Sequence, residues 1–107
     1  MLSASGWTIL GRNVRHGHRE IDLIARRGSL VAFVEVKGRR GSGVGHPLEA
    51  ITWKKRQEIE RVAQWWIRQH GTPEDDYRLD AIAITRDPCG GWDVDHVEDA
   101  WRVSWRP

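Results

Sequence analysis

The sequence predicts a single α/β domain over residues 1–107: a mixed sheet of four to five strands with one long helix after the third. Three observations carry that reading. Before residue 40, short β-rich segments alternate with glycine-bearing turns. Between Pro47 and about Gln69, apolar residues recur at steps of three and four. After Gly71 and Pro73 the period returns to two.

Trp7-Thr8-Ile9-Leu10 reads as a short first strand, and Gly11 to Arg19 as a polar, basic connection that turns at Gly17. Glu20 to Ala25 alternates, with Ile21, Leu23 and Ala25 on one face and Glu20, Asp22 and Ile24 on the other. Arg26-Arg27-Gly28-Ser29 is a tight turn. Leu30 to Lys37 is apolar on both faces at its start, as a central strand should be. A basic, glycine-rich loop follows from Arg39 to Gly45. In the helix, Pro47 suits the first turn, and Leu48, Ile51, Ile59, Val62 and Trp66 form the buried stripe. Lys55 falls near the centre of that stripe, whereas Trp53 and Lys54 point away. A lysine there either snorkels past the core edge or reaches a site at the end of the sheet. Arg78 to Thr85 is a second buried strand, Asp87 to Gly91 a turn, and Trp92 to Val97 a weaker edge strand.

Composition narrows the function classes. A hydrophobic fraction of 39% and a charged fraction of 30% fit a globular domain. The longest apolar run, Leu30 to Val34, is too short to span a bilayer, so no membrane partner is expected. No basic-then-apolar signal opens the chain, which makes the cytoplasm the expected location. The lone Cys89 sits in a turn-like stretch without a histidine beside it and reads as inert. The net charge of +2 hides an asymmetry. Residues 12–40 carry eight Lys/Arg against three acids, while residues 71–107 carry four against nine. A basic surface around an acidic pocket suits a polyanion with a metal between.

The acidic pocket is Glu20-Ile21-Asp22 followed by Glu35-Val36-Lys37. Glu35 and Lys37 share one face of their strand, as Glu20 and Asp22 do of theirs. With Arg27-Gly28 as a two-residue turn, Glu20 lies opposite Glu35 and Asp22 on the diagonal. Any even-length turn keeps these groups on one face. Facing carboxylates repel, and a cation between them removes the penalty. Asp22 and Glu35, with the Val36 carbonyl, are the expected ligands of Mg²⁺ or Mn²⁺. Such an ion polarises a scissile phosphate and lowers the pKa of an attacking water. Lys37 is expected to orient that water or stabilise developing charge, Glu20 to serve a second ion, and Lys55 to contact the phosphate.

These segments resemble the YraN-like family of small bacterial proteins, grouped with the restriction-endonuclease-like, or PD-(D/E)xK, nucleases near the archaeal Holliday-junction resolvases. The resemblance runs from about Gly6 to Trp101. It rests on Arg19-Glu20-Ile21-Asp22-Leu23-Ile24-Ala25, on Val34-Glu35-Val36-Lys37 with Arg39-Arg40, on Gly45-His46-Pro47-Leu48-Glu49-Ala50 followed by Lys55, and on Arg78-Leu79-Asp80. It implies a restriction-endonuclease-like core and a Mg²⁺-dependent endonuclease acting on DNA, branched DNA included, with Asp22, Glu35 and Lys37 as the nuclease signature. Glu20 and Lys55 match further recurrent positions. Arg19 stands where the family has glycine, and so adds a candidate phosphate contact. Relatives begin with an amphipathic helix bearing a glutamate. Only a few residues precede Trp7 here, so the expectation is either a truncated start or a member without that helix, with self-association, a homodimer, as one outcome of the second.

Other groups have plainer readings. His16, His18 and His46 lack zinc-ligand spacing. Trp66 reads as core, and Trp53 as a surface or oligomer contact, with base stacking as the alternative. Arg39 and Arg40 contact phosphate if the site is real and otherwise solubilise a loop. Asp80 is a structural cap or a partner of Lys55 or Arg78. Two alternatives to the nuclease are a non-catalytic nucleic-acid-binding module and an accessory protein working through protein contacts.

Overall fold

Arg19–Arg27, Leu30–Arg39 and Asp76–Arg86 are the three strands that carry the core, and every other element is placed by them. The computed structural model describes residues 6–39 and 51–101. In chain order the elements are β1 (Thr8–His16), β2 (Arg19–Arg27), β3 (Leu30–Arg39), α1 (Trp53–His70), β4 (Asp76–Arg86) and β5 (Trp92–Val97). They form a five-stranded sheet in the order β1-β2-β3-β4-β5, antiparallel except for the parallel pair β3–β4. That one parallel pair is what requires a crossover, and α1 supplies it. The architecture is the predicted α/β one: a mixed sheet, one helix after the third strand, β3 in the centre and β5 at an edge.

The first strand is longer than the sequence suggests. β1 runs on from Leu10 to His16 and pairs with β2 as far as His16 opposite Arg19. The expected polar connection over Gly11 to Arg19 shrinks to a turn at Gly17-His18, with Gly17 at φ 66°. A register shift between Ile9 and Gly11, and Asn13 at φ 51°, interrupt the period-two pattern that marks a strand. An edge strand also exposes much of its surface, so its polar residues cost little there.

The helix begins later than predicted. Thr52 is its cap, accepting from the Lys55 amide at 3.1 Å, and Trp53 is its first residue. Ile51 is buried but precedes the helix, and the rest of the expected first turns, Pro47 to Ala50, lies outside the described residues. Gly71 closes α1: its amide bonds to the Ile67 carbonyl at 2.8 Å. A Cβ at Gly71 would come within 2.6 Å of that oxygen and run into the Tyr77 hydroxyl, which is why a glycine stops the helix here.

The sheet has an apolar layer on each face. On the helix side Ile21, Ile24, Val31, Phe33, Leu79 and Ala81 pack against Ile59, Val62, Ala63 and Trp66. On the other side Trp7, Ala25, Ala32, Val34 and Ile82 form a second cluster, and the guanidinium of Arg27 lies 4.6 Å from the Trp7 ring centre. Ile21 and Ile24 share the helix side, so β2 departs from the strict alternation expected of it. The departure falls at Asp22.

Candidate metal centre

The β2–β3 ladder runs from Arg27 opposite Leu30 to Leu23 opposite Val34. The turn is therefore Gly28-Ser29, with Gly28 at φ 62°, one residue later than Arg27-Gly28. Parity is kept, but the facing pair changes: Asp22, not Glu20, comes beside Glu35. Ladder pairing stops at this step, and the Val36 amide donates instead to Asp22 Oδ2 at 2.8 Å. A side chain thus does the work of a strand carbonyl and fixes the Asp22 carboxylate against β3.

Glu35 is the core of the site. It is 2% exposed and lies on the helix side of β3. Burial pushes its carboxyl up to about 8, and the hydrogen bond to Asp22 and the charge of that neighbour push in the same direction. The charges of Lys55 and Lys37 oppose the shift without cancelling it. Glu35 Oε1 is buried and has no hydrogen-bond partner among the described residues, while Oε2 is 3.8 Å from the Lys55 ammonium. Native structures rarely leave a buried polar atom unpaired. Lys55 reaches this point because the first turn of α1 opens over the end of β3. That turn contains no acidic residue.

The remaining predicted residues divide. Lys37, half-buried, is close enough for its charge to act on Glu35. Glu20 forms an ion pair with Arg15 Nε at 2.8 Å, across the β1–β2 pair, instead of facing Glu35. Arg19 is half-buried at the start of β2, with its Nε buried and without a hydrogen-bond partner. Val36 contributes its amide, as above. Arg40 and the Arg39 side chain lie outside the described residues, as does His46. His16 stacks on Trp65 with ring centres 4.7 Å apart.

Among the described residues no group of three or more His, Cys, Asp or Glu side chains converges as a metal cage. Two carboxylates do converge, and one oxygen of the pair is orphaned. This donor set fits a hard divalent cation such as Mg²⁺, which commonly takes one or two carboxylates and fills its remaining positions from water and substrate phosphate.

Sequence reasoning offered Arg78 as a partner of Asp80 but did not anticipate His96 or the Asp99 amide. Asp80 lies on the opposite side of the sheet, fully buried, and its partner is Arg78, not Lys55. Arg78 donates to both carboxylate oxygens at 2.8 and 2.9 Å, His96 Nε2 approaches at 2.8 Å, and the Asp99 amide donates at 3.0 Å. An aspartate inside an otherwise apolar strand was the available signal. The identity of its partners depended on β5 pairing with β4, Ile82 opposite His96.

Comparison with known proteins agrees with the resemblance read from the motifs. The model of the uncharacterised protein family UPF0102 matches residues 1–84. This chain belongs to the UPF0102, or YraN, family. A UPF0102 protein of Chloroherpeton thalassium is 42% identical over 111 residues, covering 95% of this chain and 84% of the relative. A UPF0102 protein of Nocardia farcinica is 41% identical, covering 91% and 76%. One from Rhodococcus jostii is 40% identical, covering 94% and 85%. The matched UPF0102 region contains Asp22, Glu35, Lys37, Lys55 and Asp80 and ends before β5. No helix among the described residues is long and apolar enough to cross a membrane.

Proposed function

We propose that this UPF0102 protein is a Mg²⁺-dependent endonuclease that cleaves DNA, branched DNA included, by metal-assisted phosphodiester hydrolysis. The observation that carries the reading is Glu35: a buried carboxylate beside a second carboxylate, with one oxygen left without a partner. Evolution seldom leaves such a group in a small core unless a ligand completes it. Asp22 and Glu35 would hold the ion. When bound, it supplies Lewis-acid polarisation of the scissile phosphate and a lowered pKa for the attacking water.

The chain's own residues do the rest. The Val36 amide holds Asp22 in place. Lys37, on the same face of β3 as Glu35, orients the water and stabilises charge developing on phosphorus. Lys55, Arg19 and the Arg39-Arg40 pair supply cations for flanking phosphates, in keeping with the basic first half of the chain. Glu35 holds a proton below about pH 8, so divalent-ion uptake releases that proton and strengthens as pH rises towards 8.

The test is a panel of linear, nicked, flap and four-way-junction DNA with Mg²⁺ or Mn²⁺. Lys37→Ala and Asp22→Asn are expected to lower cleavage at least about a hundredfold while DNA binding persists. Binding without cleavage under any divalent ion would replace this reading with a nucleic-acid-binding module. Absence of DNA binding at low salt would leave an accessory protein that acts through protein contacts.

A further inference from the structure

Lys55 is an odd neighbour for a cation site. Its ammonium stands 3.8 Å from Glu35 Oε2, inside ion-pair range but beyond hydrogen-bond length. Its side chain is 31% exposed while that of Glu35 is 2% exposed, so one partner is fixed in the core and the other has room to leave. The lysine sits in the first turn of α1, where Trp53, Lys54 and Arg56 are its neighbours and no acidic residue lies. The next acid along the helix is Glu58, three residues on, and a substrate phosphate is a further anion the lysine can reach.

We infer that Lys55 is an internal stand-in for the divalent cation: it lies against Glu35 in the metal-free protein and is handed to a DNA phosphate when the ion arrives. The inference rests on the metal-dependent reading above and adds a coupling to it. An ammonium beside the site repels an incoming divalent ion, because both are positive. Removing the ammonium removes that repulsion, and metal affinity rises. Once Glu35 is occupied by the ion, like charge drives Lys55 off. The flexible stem lets its head swing towards solvent and bound DNA. Metal loading thus adds one phosphate contact from the protein, in addition to any that the ion makes itself.

Two measurements test this, each on the full chain. First, Mn²⁺ binding to DNA-free protein is followed by the electron-paramagnetic-resonance signal of free Mn²⁺. Lys55→Met, which keeps the apolar stem, is expected to bind Mn²⁺ about tenfold more tightly than the parent. Lys55→Arg keeps the charge and should stay near the parent, as should Lys54→Met. Second, the slope of log Kd against log salt is measured for duplex and four-way-junction DNA, in EDTA and in Ca²⁺. Parent and Lys55→Met should share one slope in EDTA. In Ca²⁺ the parent slope should be steeper by about 0.9, the share of a single neutralised phosphate.

If Lys55→Met binds Mn²⁺ no more tightly than the parent, or differs from it equally in EDTA and Ca²⁺, the hand-over is wrong even if the protein is a nuclease. If the parent binds no Mn²⁺ that Glu35→Gln abolishes, the metal-dependent reading itself fails, and the hand-over with it.

Discussion

Glu35 and Asp80 are both buried carboxylates on neighbouring central strands, and they are treated in opposite ways. Asp80 faces away from the helix and is saturated: Arg78 grips both its oxygens, His96 and the Asp99 amide complete the set, and every contact is 2.8–3.0 Å. Glu35 faces the helix and is left short: among the described residues one oxygen has no hydrogen-bond partner, and the Lys55 ammonium stands 3.8 Å from the other. A buried charge that is fully paired holds a fold in one arrangement. A buried charge that is under-paired costs stability and is kept for something that binds. The difference separates a saturated carboxylate from an under-paired one within a single small core.

The comparison breaks most visibly at Asp80. Asp80→Ala strands the Arg78 guanidinium, whose side chain is 14% exposed, and leaves His96 and the Asp99 amide without their acceptor. A loss of about 3–5 kcal/mol is expected, read as a lower urea midpoint. A loss under 1 kcal/mol would put Asp80 in the same class as Glu35. Glu35→Gln should do the reverse. At pH 6 it is expected to change stability by less than about 1 kcal/mol, because the parent carboxyl is already neutral there; a larger loss would make Glu35 structural.

The pH dependence sharpens the same contrast. A carboxyl raised from about 4.5 to about 8 on folding binds more protons folded than unfolded between those values. Its contribution is complete below about 4.5, shrinks as pH rises, and is gone above about 8, with a slope of at most about 1.4 kcal/mol per pH unit. Metal-free protein should therefore lose stability from pH 5 to pH 8, and Glu35→Gln should flatten that limb. A flat parent profile would contradict the protonated state assigned to Glu35.

The smallest effect belongs to Asp75, whose carboxyl is held at about 2 by its hydrogen bonds to Arg26 at 2.7 and 3.1 Å. A lowered pKa gives stability that is present above the unfolded value near 4 and disappears as pH falls through 2. Asp75→Asn should remove that acid-side decline and leave the limb between pH 5 and pH 8 unchanged. An altered upper limb would show that the two sites are coupled.

Strong periodicity was legible in the sequence and weak periodicity was not. The apolar run of β3 and the stripe Ile59, Val62 and Trp66 of α1 announced themselves because each buries a continuous stretch of side chains. β1 did not, because its shifted register and left-handed Asn13 scramble the period of an already exposed strand. The carboxylates of the site were legible as well, since an acid ending an apolar strand is costly unless it is used. Which acids meet was not, because moving the turn from Arg27-Gly28 to Gly28-Ser29 carries the partner of Glu35 from Glu20 to Asp22 without changing any face. Lys55 was visible as a lysine on a core stripe. Its partner was visible only once the first turn of α1 was seen over the end of β3.

By itself, then, the sequence determined the kind of fold, the helix that makes its parallel pairing possible, and the shared face of Glu35 and Lys37 on β3. These follow from local period and from the cost of burying charge. The tertiary structure decided which acid sits beside Glu35, that Glu20 turns to Arg15 instead, and that His96 and the Asp99 amide, both outside the matched family region, join Arg78 around Asp80. Those choices depend on register and on the satisfaction of individual oxygen atoms. Both are settled by contacts between residues far apart in the chain, and no local pattern encodes them.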